Sequence, residues 1–236
     1  MPRLHSYLSQ TLQPAMEQIH SVPSMYLEAI IAPQAPQVLA VTSYRSFEKM
    51  LAVGGRISSQ PEVRQARALL ESTHALQGVQ SQVLVAPEGS RFAADSAGLL
   101  RYSPAQRSLT RPDSPEFQEV WRAEQALCEL RNGIYELCSY YAPAWHDGLP
   151  ARVTEALSRA GIRPIANALS APGEHLPHFT FLIPFESVGA SIDAWAKLDA
   201  DADWSGSQRE SAGRYGSGVK LTAKAIYKLT PYSRLA

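Results

Sequence analysis

Hydrophobic and polar positions in the C-terminal half of the chain follow two alternating periods. A period of two residues is typical of strands, and one of about 3.6 residues is typical of amphipathic helices. Strands are predicted over GIYELCSYY (133–141), IRPIANALS (162–170), HFTFLIPF (178–185) and VKLTAKAIYKL (219–229). Helices are predicted over LPARVTEALSRAG (149–161) and from Ser187 onward. The resulting order, β-α-β-β-α-β, is that of the split βαβ or ferredoxin-like unit.

The N-terminal half is predicted to repeat this order. Its strands are expected at residues 4–8, 25–32, 37–44 and 79–86. A short helix is expected over 12–21, a second from the N-cap Ser46 with an interruption at Gly54 and Gly55, and a third from Pro61. The two halves align without a gap where Tyr44-Arg45-Ser46 matches Phe185-Glu186-Ser187. The matching element order indicates an internal duplication.

A ferredoxin-like sheet carries helices on one face only, so its other face must be covered. We therefore predict an α+β fold of two tandem ferredoxin-like units, packed sheet to sheet as a pseudo-dimeric α+β barrel with a partly polar lumen. The predicted boundaries are 1–90 for the first unit, 91–132 for a connector with an extra helix, and 133–236 for the second unit. Closure within one chain and closure between the chains of a homodimer both remain open.

Composition narrows the functional classes. The formal net charge is zero and the pI is near 7, which does not favour a nucleic-acid partner. No apolar run is long enough for a membrane span, and no signal segment is recognised at the N-terminus, so a cytoplasmic protein is expected. Cys128 and Cys138 are too few for a disulfide framework and are expected to be reduced thiols.

A short pattern occurs twice, as RLHSY (3–7) and as ELCSY (136–140). On a strand, alternate side chains share a face. By this rule Arg3, His5 and Tyr7 share a face in one half, and Glu136, Cys138 and Tyr140 share a face in the other. Both sets are expected to face the lumen. The hypothesis is that the two sets meet in one cavity. The alternative is a structural role, with Arg3 paired to Glu136 and Cys138 acting as a small buried hydrophobe.

The residue types in these positions suggest acid/base chemistry. His5 and His178 are candidates for general acid or base, and Cys138 for a nucleophile if a cation lowers its pKa. Tyr7 and Tyr140 are the candidates for polarising a carbonyl group. The candidate substrate-binding residues are Arg3, Glu28, Glu136, Asn167 and Thr180.

Cofactor motifs are weak in this chain. GEHLPHF offers Glu174, His175 and His178, but on a turn and as an incomplete ligand set, so no metal is expected. GRYGSG (213–218) precedes a predicted strand and does not open a helix, so it does not predict a phosphate site. We therefore expect neither a metal nor a nucleotide cofactor.

The segment from YELCSYY to DADADW resembles the NIPSNAP domain of the dimeric α+β barrel superfamily, over roughly residues 134–230. PQVLAVTSYRSFEKM (36–50) is a fainter copy, which implies a tandem member. In that family the first strand usually continues as Glu-Leu-Arg-x-Tyr, whereas Cys138 and His5 hold the arginine position here. Any role of that arginine is therefore not carried over. Relatives in the superfamily include cofactor-free monooxygenases, isomerases, cyclases and haem proteins.

These observations favour an enzyme of small-molecule biosynthesis. The expected substrate is an aromatic or polyketide-like metabolite, converted in the barrel lumen by isomerisation, cyclisation or cofactor-free oxygenation. The first alternative is a barrel that binds a ligand, or haem, without turnover. The second is an interaction module that docks through the connector helix around Trp121.

Overall fold

A computed structural model of the chain describes residues 1–20, 24–42, 44, 46–85, 102–103, 108–109, 133–141, 149–170 and 178–233. Its helices are α1 Pro2–Tyr7, α2 Gln13–Ile19, α3 Phe47–Ser59, α4 Pro61–Ser72, α5 Leu149–Arg159, α6 Val188–Ala200 and α7 Ala202–Tyr215; a π-helical segment, Leu8–Leu12, joins α1 to α2. Its strands are β1 Ser24–Ile31, β2 Val38–Thr42, β3 Leu84–Val85, β4 Tyr102–Ser103, β5 Ser108–Leu109, β6 Ile134–Tyr141, β7 Ala166–Ser170, β8 His178–Phe185 and β9 Lys220–Leu229.

Seven of these strands form one antiparallel sheet in the order β2-β1-β9-β6-β8-β7-β3, and β4 pairs with β5 separately. The α+β class is therefore confirmed. Within the C-terminal half, β6, α5, β7, β8, α6–α7 and β9 follow the predicted β-α-β-β-α-β order. The two halves do not form separate sheets packed face to face, because β1 pairs with β9 and joins both halves edge to edge.

The predicted strand at residues 4–8 is wrong, because α1 and the π-helical segment occupy it. Leu4, Leu8, Leu12 and Met16 recur every four residues, a helical spacing that continues beyond the pentapeptide. Leu8 and Met16 are buried, and Met16 packs in a cluster with side chains of α3 and α4. The same five-residue pattern thus forms a helix in one half and a strand in the other.

Helix boundaries follow their capping residues. Ser46 accepts a hydrogen bond from the Lys49 backbone N–H at 3.2 Å, which confirms it as the N-cap of α3. The predicted interruption at Gly54 and Gly55 is wrong, since α3 continues through both and buries Val53 and Ile57 on either side. The predicted last helix is divided at Asp201, and α7 then extends into the expected glycine-rich loop as far as Gly216, whose φ is 75°.

Each face of the sheet carries a buried cluster. On β6, Ile134, Cys138 and Tyr140 pack with α5 and α6, while Tyr135 and Leu137 lie in a second cluster with side chains of β1 and β9. The sequence prediction that Cys138 and Tyr140 face a lumen is therefore wrong, because they lie on the helix-packed face of β6. It assumed that a set containing Glu136 would avoid the helix-packed core, but protein donors satisfy that carboxylate. Among the described helices, none combines the length and apolar character that a membrane-spanning segment needs.

Candidate functional site

The structure separates the two copies of the repeated pentapeptide. His5 lies on α1, where it contacts β1 and the segment after β9. Cys138 lies in the core between the sheet and the helices α5 and α6, with none of its surface exposed. The predicted joint cavity for the imidazole and the thiol is therefore wrong, because these groups belong to different packing environments.

His5 forms a cluster of three titratable side chains with Glu28 and Tyr232, which we call the His5 cluster. The imidazole Nδ1 lies 2.7 Å from the Tyr232 hydroxyl, and Nε2 lies 3.3 Å from Glu28 Oε1. The side chains of His5 and Glu28 are 25% and 47% exposed. An imidazole is thus held between a carboxylate and a phenol at a position that a solute can reach.

The backbone around the cluster explains why these residues meet. Glu28 lies on β1, opposite Lys228 of β9. The segment after β9 folds back onto β1, where the Thr230 N–H donates to the Tyr26 carbonyl at 2.9 Å and the Tyr26 N–H donates to Ser233 Oγ at 3.2 Å. The Tyr232 ring also contacts the Tyr26 ring, with centroids 5.5 Å apart. These bonds place the Tyr232 hydroxyl beside α1.

The hydrogen positions of the cluster follow from its acceptors. Burial raises the pKa of Tyr232 above its ordinary value, while a hydrogen bond with Thr230 lowers it and the Glu28 carboxylate raises it by smaller amounts. A carboxylate only accepts hydrogen bonds, so Glu28 calls for the hydrogen on Nε2; in the neutral form of the ring, Nδ1 then accepts the Tyr232 hydroxyl proton. Lys228 is exposed and is the residue opposite Glu28 in the strand register.

Glu136 forms a second polar network, buried beneath α6. Its carboxylate is 1% exposed and accepts hydrogen bonds from the Ser191 hydroxyl and from Trp195 Nε1, the latter at 2.7 Å. Lys224 Nζ lies 2.9 Å from the same carboxylate and 5.1 Å from the centroid of the Trp195 ring. Protein donors thus occupy both carboxylate oxygens, which indicates that Glu136 fastens α6 to β6 and β9 and argues against substrate binding.

Cys138 and Tyr140 lie beside this network on the same face of β6. Burial, with a smaller contribution from the Glu136 carboxylate, raises the pKa of the Cys138 thiol to about 12. Burial likewise raises the pKa of Tyr140. A protonated, enclosed thiol is a poor nucleophile, so the geometry supports a packing role for Cys138.

The other predicted site residues are dispersed. Arg3 is exposed on α1, while Tyr7 lies near Arg67 and Glu71 of α4, and burial raises its pKa. Thr180 is buried on β8, with its hydroxyl 3.3 Å from Ser139 Oγ. Asn167 lies on β7 and His178 on β8, but their side chains are outside the described part of the structure.

Three residues weighed in the sequence analysis fall outside the described residues: Glu174 and His175, for which no metal site is predicted, and Trp121, the docking residue of the interaction alternative. Among the residues that are described, no group of three His, Cys, Asp or Glu side chains is arranged to hold a metal ion.

Sequence reasoning identified His5 and Glu28 but missed Tyr232 and Lys228. Tyr232 lies three residues after the end of β9, where no periodicity marks a position. Its role depends on the pairing of β9 with β1, which links residues about two hundred positions apart and which the duplicated pattern did not predict.

No family model matches this chain, and no curated protein matches it either.

Proposed function

We propose that the protein is an enzyme that converts a small carbonyl compound by acid/base chemistry, with the His5 cluster as its catalytic site. The observation that carries the proposal is the partly exposed imidazole held between the Glu28 carboxylate and the Tyr232 hydroxyl. A histidine oriented by a carboxylate on one nitrogen and linked to a hydroxyl on the other is an arrangement suited to proton transfer.

The proton path follows from the hydrogen assignment. The Tyr232 oxygen takes a proton from the carbon next to the substrate carbonyl while its own hydroxyl proton passes to His5 Nδ1. Because burial disfavours a free phenolate, the two transfers are coupled. The Glu28 carboxylate stabilises the imidazolium that forms, 3.3 Å away. Return of a proton to a different carbon completes an isomerisation.

Lys228 supplies the charge that an enolate needs. Lys228 is the residue opposite Glu28 in the strand register and is exposed. A cation directed at the substrate oxygen stabilises the negative charge that develops when the carbon loses its proton. The substrate is therefore a ketone or related carbonyl compound, and an aromatic or polyketide-like skeleton is the class we propose.

The wider assignment belongs to the same proposal. We place the protein among cytoplasmic enzymes of small-molecule biosynthesis that use neither a metal nor a nucleotide. The β-α-β-β-α-β order of the C-terminal half supports a relation to the NIPSNAP domain and the dimeric α+β barrel superfamily. The tandem organisation is proposed on the alignment of Ser46 with Ser187, which cap corresponding helices in the two halves.

Deuterium uptake by 2-tetralone in D₂O, followed by proton NMR, tests the function. The wild-type protein is expected to accelerate exchange at the carbons beside the carbonyl. His5→Gln and Tyr232→Phe are expected to reduce that acceleration by about 100-fold or more, the usual range for loss of a general acid or base. The matched control is His74→Asn, since His74 is exposed and asparagine tolerates its φ of 52°. Full exchange by a folded His5→Gln protein would contradict the proposal.

A further inference from the structure

Strand β2 forms one end of the seven-stranded sheet. The Ala29 N–H donates to the Gln37 carbonyl at 3.0 Å, and antiparallel strands bond through alternate residue pairs. Leu39 and Val41 lie two and four residues after Gln37 in the same register, so their backbone groups also face β1. The backbone N–H and C=O groups of Val38, Ala40 and Thr42 therefore point to the outer edge of the sheet.

Hydrogen bonds on the other side of β1 show the same alternation of backbone directions. Tyr26 pairs with Ala40 across the β1–β2 ladder, and its carbonyl turns away from β2 to accept from the Thr230 N–H at 2.9 Å. Residues paired in this way direct their backbone groups away from each other. The outward direction of the Ala40 groups is thus supported from both sides of β1.

The described residues of this edge strand carry none of the usual sequence features that oppose strand pairing. Natural edge strands carry charges, prolines or bulges, but Val38–Thr42 reads VLAVT, with no charge, no proline and an unbroken register with β1. Ala40 is exposed at the centre of the strand. Leu39 and Val41 pack against the apolar cluster of the sheet but are only partly buried. More apolar surface therefore remains to be covered at this edge.

We propose that β2 is a dimerisation strand, which pairs antiparallel with β2 of a second copy of this chain about a two-fold axis at Ala40. In this register Val38 lies opposite Thr42, two β-branched side chains of similar size, and Ala40 lies opposite its own copy. Leu39 lies opposite Val41 on the face of the apolar cluster, so pairing extends that cluster across the axis. The net charge of zero imposes no overall repulsion between copies.

The sequence of β2 favours a second copy of this chain as the pairing partner. An antiparallel pair about a two-fold axis uses the same surface on both partners, and in this register VLAVT pairs Val with Thr, Leu with Val and Ala with Ala. The three outward residues form three hydrogen-bonded pairs, which join two seven-stranded sheets into one continuous sheet. This inference is independent of the proposed function, since none of the residues in the His5 cluster belongs to β2.

Disulfide trapping tests the register. Residues in a hydrogen-bonded antiparallel pair have Cα atoms about 5.5 Å apart, within the range of roughly 4.4–6.8 Å that a disulfide spans. Ala40→Cys in a Cys128→Ser background is therefore expected to give a covalent dimer under mild oxidation. The matched control is Val38→Cys, because the two copies of residue 38 would lie about 14 Å apart in this register. Equal trapping at both positions, or none at residue 40, would overturn the register.

Sedimentation velocity tests the interface without a crosslink. The wild-type protein is expected to dimerise, and Ala40→Pro to raise the dissociation constant at least about tenfold, since both outward N–H groups at the axis are lost. Proline suits an edge position whose N–H faces outward. Ala40→Lys, which places like charges opposite each other, is the second variant, and Ala212→Lys on the exposed surface of α7 is its control. A monomeric wild-type protein at tens of micromolar, or an Ala40→Lys protein that dimerises normally, would refute the proposal.

Discussion

At the scale of single residues, buried charge and exposed charge have different roles in this protein. Glu136 is 1% exposed and is surrounded by donors, whereas Glu28 is about half exposed and faces an imidazole. A carboxylate whose oxygens are occupied by protein donors holds elements together. A carboxylate that orients a reachable histidine can take part in chemistry, which is why the His5 cluster is the stronger candidate site.

The Glu136 network makes a prediction about stability. Glu136→Gln removes the negative charge beside Lys224 and places an amide N–H₂ among donors from Ser191 and Trp195. The amide N–H₂ then faces a buried donor that has lost its acceptor, while the partly exposed Lys224 can be solvated, so we expect the free energy of unfolding to fall by about 2 kcal/mol. Urea denaturation measures this change. Glu155→Gln, which removes an exposed pair with Arg159, is the control and should cost less than about 0.5 kcal/mol. Equal losses in the two variants would contradict the anchoring role.

The proposed role of Lys228 is to stabilise negative charge on the substrate oxygen, and removing its charge tests this role. Lys228→Gln keeps much of the length of the side chain but removes the cation beside Glu28. Loss of one electrostatic contact to a developing enolate typically lowers the rate by about 100-fold or more. The rate of deuterium uptake by 2-tetralone should fall accordingly, while Lys220→Gln, an exposed change at the other end of β9, should leave it unchanged. A Lys228→Gln protein with the wild-type rate would remove Lys228 from the mechanism.

At the scale of elements, Asp201 connects three helices. Its carboxylate accepts from Arg159 of α5 at 2.8 and 3.0 Å, and it caps α7 by accepting from the Trp204 N–H at 2.7 Å directly after α6. The hydrogen bond from Arg159, followed by that from Trp204, lowers the pKa of Asp201 from 3.8 to about 2. The predicted last helix is therefore divided at Asp201, which follows the end of α6 and caps the start of α7.

Because of this lowered pKa, the contribution of Asp201 to the stability of the fold is expected to be lost in acid. A carboxyl group whose pKa is lowered on folding stabilises the fold above its unfolded value of 3.8, and that contribution is lost as the pH falls towards about 2. Melting temperatures of the wild type and of Asp201→Asn should differ at pH 6 and converge near pH 2. Thermal unfolding followed by circular dichroism across this range measures the difference. A difference that stays constant from pH 6 to pH 2 would show that ionisation of Asp201 does not contribute.

Local chemistry made the helix starts and the C-terminal element order predictable. Ser46 and Ser187 both cap helices through their hydroxyls, and Pro61 opens α4 as expected. These features depend on interactions within three or four residues, which a sequence displays directly. The strand predicted at residues 4–8 failed because five residues contain too few repeats to separate a period of two from a helical period.

At the scale of the whole molecule, the pairing of β1 with β9 decides the candidate site. It brings the N-terminal helix, the first strand and the segment after the last strand together around His5. The sequence predicted two units facing each other across a lumen, and it therefore grouped His5 with Cys138. Contacts between residues that lie far apart in the chain leave no local signal, so neither Tyr232 nor the single shared sheet could be predicted.

The most direct test of the account is the tautomer of His5, observed by long-range ¹H–¹⁵N NMR and assigned through the signal that is lost in His5→Gln. At a pH high enough to deprotonate an imidazolium, we predict the ring hydrogen on Nε2 and an unprotonated Nδ1 whose resonance shifts in Tyr232→Phe, because that change removes the hydroxyl 2.7 Å away. A hydrogen on Nδ1, or a His5 signal that Tyr232→Phe leaves unchanged, would contradict the proposed proton path.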